Sequence, residues 1–320
     1  MRIVCATDLL PRSEAAIDRA GLLADRFGAD LTLLHVVEPN ESERASEQAL
    51  QTSLARVRAR AQPPLWRGKR MPEVAVRTGD PGRIIVEKLA DYRPDLLILG
   101  PHRKRPLQDA LRDTVVERAL AARICPVLVV QDEAQTGYRR VLLALDLSSA
   151  SASAVAAFES LMLTPDVDAT VVHAYEPPYQ GMLHYAGVGP DMVTRYSESW
   201  KREARKAVRE LLDNESTRSP WYDIVIEPHP AATGILRALE RYEPDLLVIG
   251  THGGGRLRRA LVGSVSNRIL QGASCDVLIA PDGWATASRG KTVWDMHGLR
   301  RMPLEPRVGE QPLARQARNS

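Results

Sequence analysis

Tyr92-Arg-Pro-Asp-Leu-Leu-Ile-Leu-Gly100 and Tyr242-Glu-Pro-Asp-Leu-Leu-Val-Ile-Gly250 differ only at their second, seventh and eighth positions. Each is a short, nearly continuous apolar run, entered through Pro-Asp and left through a glycine. A run without polar alternation reads as a strand buried on both faces, of the kind found at the centre of a parallel sheet. The same offset of 150 residues pairs His102 with His252, Thr114 with Ser264, and Cys125-Pro-Val-Leu-Val-Val130 with Cys275-Asp-Val-Leu-Ile-Ala280. Nearer the start of each half the offset is 138: Ile3-Val-Cys-Ala-Thr-Asp8 aligns with Val141-Leu-Leu-Ala-Leu-Asp146, and His35 with His173. The chain is therefore one domain written twice, the second copy carrying a 12-residue insertion best placed in the stretch 177–200.

Both copies follow one plan. An apolar run (2–7; 140–145) ends at an aspartate and is followed by an amphipathic helix (13–27; 149–161), with Ser13 placed to cap the first. A second run (30–37; 168–174) leads to a long charged helix (41–61; about 195–213), whose apolar face in the second copy is Trp200, Ala204, Val208 and Leu211. A third run (73–77; 223–227), a helix (81–92; 231–242), the quoted strand, a last helix and a fifth run (126–130; 276–280) complete each copy. Strands alternating with helices build βαβ units, so the fold class is α/β. The expectation is two copies of a five-stranded, doubly wound, Rossmann-like parallel sheet with helices on both faces and ligands at the carboxyl ends of the strands. The domains are read as 1–132 and 138–282, with 283–320 a basic, mostly extended tail of seven Lys/Arg against three Asp/Glu, anchored by Trp284 or Trp294.

Composition narrows the function. Of 320 residues 44% are hydrophobic and 26% charged, as in an ordinary globular chain, and the formal net charge of +3 is too balanced for bulk nucleic-acid binding. No apolar run reaches the roughly 18–20 residues of a membrane span, and Met1–Leu10 lacks the apolar core of a secretory signal, so a cytoplasmic location is expected. The three cysteines lie in apolar strand contexts and read as buried, reduced thiols.

The strongest chemical signal is Gly250-Thr-His252-Gly253-Gly-Gly-Arg256-Leu-Arg-Arg-Ala-Leu-Val-Gly263-Ser264-Val265-Ser266. Glycine amides let phosphate oxygens approach, and a helix amino terminus adds free N–H groups, a favourable dipole and the hydroxyls of Ser264 and Ser266. Spacing alone leaves this reading level with that of a Gly-rich connector and ordinary capping. No Gly-Lys-Ser/Thr follows, so it is not a Walker A loop, and glycines after the fourth strand are misplaced for a dinucleotide fingerprint. Histidines 35 and 173 read as hydrogen-bonded core residues. The basic runs 66–70 and 103–105 read as solvated loop faces without the aromatic interleaving of a single-strand binder.

The segment Gly250, Gly253, Gly263, Ser264 resembles the Gly-2x-Gly-9x-Gly-Ser/Thr pattern of nucleotide-binding universal stress proteins. Asp8 and Asp146 after the first strands, His35 and His173 on the second, and Pro-Asp-Leu-Leu before the glycine extend the likeness over both copies. The resemblance implies that Asp146, with Ala144 and Leu145, lies on the adenine side. Ala174 would touch the base, and Ile249 and Gly250 the ribose. Gly253, Gly263, Ser264, Val265 and Ser266 would cradle the phosphates, with His252 in the pocket lining. The cofactor implied is ATP, or AMP or ADP, with Mg²⁺ a companion of ATP. The partners implied are an adenine nucleotide, intrachain pairing of Pro126–Val130 with Asp276–Ala280, and a homodimer as a further assembly.

Copy one departs from that pattern: Arg103 replaces Gly253 and Asp113 replaces Gly263. A fixed carboxylate a few ångströms from a triphosphate costs about 1–4 kcal/mol at intermediate dielectric, so copy one is expected to be a structural partner. The function expected is a stress-response regulator that binds ATP or another adenine nucleotide in its second copy. The rivals are a nucleotide-free scaffold acting through its surface or basic tail, and a slow ATPase or autophosphorylating protein. No general base and no carboxylate pair for Mg²⁺ stands beside the glycine segment, so no catalytic residue is assigned.

Overall fold

The computed structural model describes residues 1–39, 42–62, 69–101, 114–131, 136–161, 167–176, 189–216, 222–251 and 264–284. In the first copy β1 (Arg2–Thr7), α1 (Glu14–Phe27), β2 (Asp30–Val37), α2 (Glu43–Arg60), β3 (Glu73–Thr78), α3 (Pro81–Tyr92), β4 (Leu96–Leu99), α4 (Val115–Ala122) and β5 (Val127–Val129) follow in order. The second copy repeats the series as β6 (Arg140–Ala144), α5 (Ser149–Leu161), β7 (Asp168–Ala174), α6 (Pro190–Glu215), β8 (Asp223–Glu227), α7 (Ala231–Tyr242), β9 (Leu246–Gly250), α8 (Ser264–Gly272) and β10 (Asp276–Ala280). No helix among the described residues is long and apolar enough to cross a membrane.

The strands form one ten-stranded sheet in the order β3-β2-β1-β4-β5-β10-β9-β6-β7-β8. Every pairing within a copy is parallel, and the copies join through a single antiparallel seam, Val277 opposite Val129, Leu278 opposite Leu128 and Ile279 opposite Val127. The pairing foreseen for the fifth strands is thus the seam, and the repeat offset places a pseudo-two-fold axis at the Leu128–Leu278 pair. The quoted runs occupy central positions: Leu96–Leu99 and Leu246–Ile249 are fully buried. One core layer lies between the sheet and α1, α2, α5 and α6, the other between the sheet and α3, α4, α7 and α8. Each layer runs across the seam, because the sheet itself is continuous.

Three local readings change in the folded chain. Ser13 makes no cap bond to α1; it sits in a 3₁₀ turn (Pro11–Ser13), and its hydroxyl donates instead to Asp8 Oδ1 at 2.6 Å. The second long helix begins at Pro190, upstream of the expected position, with proline in its first turn, where no N–H is needed. On its apolar face Val208 is buried and Ala204 and Leu211 pack at the core margin. Trp200 stays 38% exposed, its ring edge-on to Tyr196 at 6.2 Å.

Candidate functional site

In a 3-2-1-4-5 sheet the chain reverses its direction of winding between the first and fourth strands, which opens a crevice at their carboxyl ends. In the second copy those strands are β6 and β9, whose last register partners are Ala144 and Ile249. Both belong to the core layer under α7 and α8, and Val265, in the first turn of α8, packs on the same layer. Ala174 ends β7 one strand away and is half-buried. The Ala174 Cβ faces Gly234 of α7, where an added Cβ would lie 2.7 Å from it. Leu145 points to the opposite layer and is buried there.

Asp146 stands at the mouth. Its Oδ1 accepts hydrogen bonds from the Ser148 backbone N–H (3.1 Å), the Ser148 hydroxyl and the Ser151 hydroxyl (2.7 Å), and Ser151 Oγ in turn accepts the Asp146 N–H at 2.8 Å. Partial burial pushes the carboxyl pKa up, but the hydrogen bonds from Ser148 and Ser151 outweigh it and hold the group below its usual value. Every bond the carboxylate accepts from the described residues falls on Oδ1, so among those residues Oδ2 is left as an oriented, ionised acceptor. The next residue, Leu147, has φ 65°, a left-handed conformation that costs a leucine roughly 1–2 kcal/mol. Behind it the His173 ring is fixed by a 2.7 Å contact between Nδ1 and the Leu145 carbonyl oxygen, as His35 is by Thr7. Both histidines are core residues, as their apolar strands suggest.

Gly250 has a packing reason of its own. A Cβ there would lie 2.4 Å from the Ala150 carbonyl oxygen and 2.8 Å from the Ala150 Cβ. The first turn of α5 therefore rests directly on β9, which is what brings Asp146 to the crevice. The chain leaving β10 is tied to the same turn: Asp282 accepts the Ser149 hydroxyl at 2.7 Å, its N–H donates to Thr251 Oγ1 at 2.9 Å, and Trp284 is buried against the core. Ser266 is buried within α8; Ser264 begins that helix. His252, Gly253 and Gly263 lie outside the described residues, as do Arg103 and Asp113 of copy one and Trp294 of the tail. Among the described residues no group of three or more His, Cys, Asp or Glu side chains is arranged to hold a metal ion.

The first copy repeats this frame with its polar groups already engaged. Ser13 holds Asp8 as Ser151 holds Asp146, but Arg12 Nη2 lies 2.5 Å from Asp8 Oδ2; the equivalent of Arg12 in the second copy is Ala150. At the start of α4, Thr114 and Glu117 form a reciprocal capping box, the Thr114 N–H donating to Glu117 Oε2 at 2.6 Å and the Glu117 N–H to Thr114 Oγ1 at 3.2 Å. A carboxylate thus covers the helix terminus that an anion would need, and the second copy has the neutral Asn267 at that place. Arg118 crosses to Asp80 at 2.5 Å and lies over Gly82, where a Cβ would meet its Cδ at 2.6 Å. Arg12, Glu117 and Arg118 were not singled out by the sequence reading. Thr114-x-x-Glu117 is a capping signature that could have been read, and Asp8 and Arg12 have the spacing of a helical ion pair.

The model of the universal stress protein family matches the chain twice, over residues 1–131 and 137–281. Universal stress protein A homolog 2 of Coxiella burnetii is 29% identical over 143 residues, which span 44% of this chain and 93% of that protein. Among solved structures, a universal stress protein from Archaeoglobus fulgidus superposes with a TM-score of 0.57 at 16% identity, over 88% of this chain and 98% of that one. A Pseudomonas aeruginosa protein does so with a TM-score of 0.57 at 21% identity, over 89% and 95%. These two likenesses speak to the fold, including its tandem form. Two matches to the family model, each covering one repeat with its sheet, crevice and aspartate, establish that the chain belongs to the universal stress protein family and carries two of its domains.

Proposed function

We propose that this stress-response family member binds an adenine nucleotide, with ATP the first candidate and AMP or ADP the alternatives, in its second domain alone. The first domain serves as a structural partner. The observation that carries the reading is the contrast between two equivalent aspartates: among the described residues none bonds Asp146 Oδ2 at the crevice, whereas Arg12 bonds Asp8 Oδ2. The described residues Asp146, Ala144, Ala174, Ile249 and Gly250 support the reading. Asp146 would accept hydrogen bonds from the nucleoside, and Ala144, Ala174 and Ile249 would give the base a small apolar surface. Gly250, Gly253, Gly263 and the start of α8 with Ser264, Val265 and Ser266 would offer amides and hydroxyls to the phosphates, His252 lining the loop. A bound nucleotide supplies the anionic phosphates that complement the α8 terminus; the chain supplies orientation and charge.

The test is the nucleotide content of protein purified without added ligand, together with calorimetric titration of ATP, ADP and AMP into wild type, Asp146→Ala and Asp8→Ala. One nucleotide per chain, lost in Asp146→Ala and retained in Asp8→Ala, is the expected result. Equal losses in both variants, or no heat in wild type, reject the proposal.

A further inference from the structure

The seam between the domains is not as symmetric as its strands. Asp276, the first residue of β10, has a fully buried side chain. Its Oδ2 accepts Arg19 Nε at 3.1 Å and the Tyr138 hydroxyl at 2.6 Å, and its Oδ1 accepts the Gln131 N–H at 2.8 Å. Arg19, on α1, also donates through Nη1 to the Thr136 carbonyl at 2.7 Å and stacks over the Tyr138 ring, its guanidinium carbon 4.2 Å from the centroid. The acid and the phenol thus come from the second domain, the cation and the Gln131 N–H from the first, and the Thr136 carbonyl from the connection between them. Burial and the neighbouring Asp276 charge push the Tyr138 pKa well above its ordinary value, so the phenol stays a donor throughout the working pH range.

The repeat offsets say what occupies the symmetry-related places. Pro126 stands where Asp276 would be and Ala157 where Arg19 would be, so the seam holds one such knot and not two. We propose that this knot selects the partner at the seam, so that a first domain accepts only a second domain and each rejects its own kind. Two second domains joined through β10 would each bury Asp276 opposite the other's Ala157, with no cation. Two first domains joined through β5 would each bury Arg19 opposite Pro126, with no anion. An uncompensated buried charge is the costly half of a broken ion pair, worth on the order of 100-fold or more in an equilibrium constant. Shape does not make the choice, since Val127–Val129 and Val277–Ile279 are near-equivalent apolar strands. The central seam is therefore closed to like-with-like pairing between chains, and any association of whole chains uses another surface or an exchange of unlike domains.

Two measurements on the full chain test this. In urea unfolding, Arg19→Met and Asp276→Asn should each lower the folding constant on the order of 100-fold, and the double variant should lose little more than either single one. Additive losses overturn the knot as a coupled unit. For selection, a protease site is inserted at positions 133–134 of the full chain and cut after folding. The cut protein is taken through urea and back, and its complexes are weighed by native mass spectrometry. Wild type should return only one-to-one pairs of unlike halves, while the cut double variant should also give like pairs. A statistical mixture from wild type, a failure of its halves to re-form the unlike pair, or an unchanged pattern in the double variant overturns the proposal.

Discussion

Replacing Gly250 with alanine tests how the site is built. The added Cβ would meet the Ala150 carbonyl oxygen at 2.4 Å, its carbon at 2.6 Å and its Cβ at 2.8 Å, all parts of the α5 first turn that cannot rotate away. The equivalent Gly100 faces Ser13, with Oγ at 3.0 Å, Cα at 3.3 Å and Cβ at 3.5 Å, where shifts of a few tenths of an ångström suffice. Neither glycine has positive φ, so alanine adopts both backbones and restricts the unfolded chain, a gain of about 0.4–1 kcal/mol in each case. Overpacking against backbone costs about 1–3 kcal/mol or more. The expected net is a loss of about 2 kcal/mol for Gly250→Ala and about zero for Gly100→Ala. For a domain of this size 2 kcal/mol lowers the melting temperature by about 4–8 °C. The turn that must move carries Ser148 and Ser151, so Gly250→Ala should also weaken ATP binding, whereas Gly100→Ala should leave it intact. Calorimetric scanning and ATP titration of both variants decide the matter. Equal stability of the two would refute the argument that direct packing of α5 on β9 sets the crevice.

Further outcomes follow from the same structure. Ser151→Ala removes the hydroxyl that both donates to Asp146 Oδ1 and accepts the Asp146 N–H, and should cost about 1–2 kcal/mol in urea unfolding. Asp8, Asp80 and Asp146 have folded pKa values below their ordinary ones, where hydrogen bonding and ion pairing outweigh burial. Their contribution is present above about pH 4 and is lost as the pH falls through the lowered folded values, so stability should decline as the pH drops below about 4, with a shallower decline in Asp146→Asn. Burial pushes the Cys5 and Cys275 thiols up to about 12, so neither should react with an alkylating reagent at pH 8 until the chain is unfolded. Gly263→Asp, which imports the residue that copy one carries at 113, should weaken ATP binding about tenfold or more by titration calorimetry, with a small effect on melting.

Much of the fold was legible because the strands are short apolar runs and the repeat gives each boundary a second witness. Tyr92–Gly100 against Tyr242–Gly250 locates the central strands, Asp8 against Asp146 the crevice, and Pro126–Val130 against Asp276–Ala280 the seam. Local capping was less legible. Ser13 satisfies the rule for a helix cap, yet its hydroxyl goes to Asp8, a charged acceptor that binds it more strongly than a backbone amide can. Trp200 has helical apolar spacing but emerges at the margin of the core, because α6 runs past the buried layer that holds Val208 and Leu212.

The sequence alone determined the number of domains, the class of sheet and the family, because apolar periodicity, a repeated strand pattern and the glycine pattern of the second copy are local properties of the chain. It also marked copy one as the altered copy, through Arg103 and Asp113. Only the tertiary structure decided that Arg12 bonds Asp8 while Asp146, among the described residues, is held through Oδ1 alone, and that Glu117 covers its own helix terminus. The union of Asp276 with Arg19 across 257 positions likewise exists only in the folded chain. These contacts depend on which faces the seam and the helix turns bring within 3 Å of each other. No spacing rule encodes that distance, since it is set by how two domains meet in one sheet and how closely one glycine lets a helix approach.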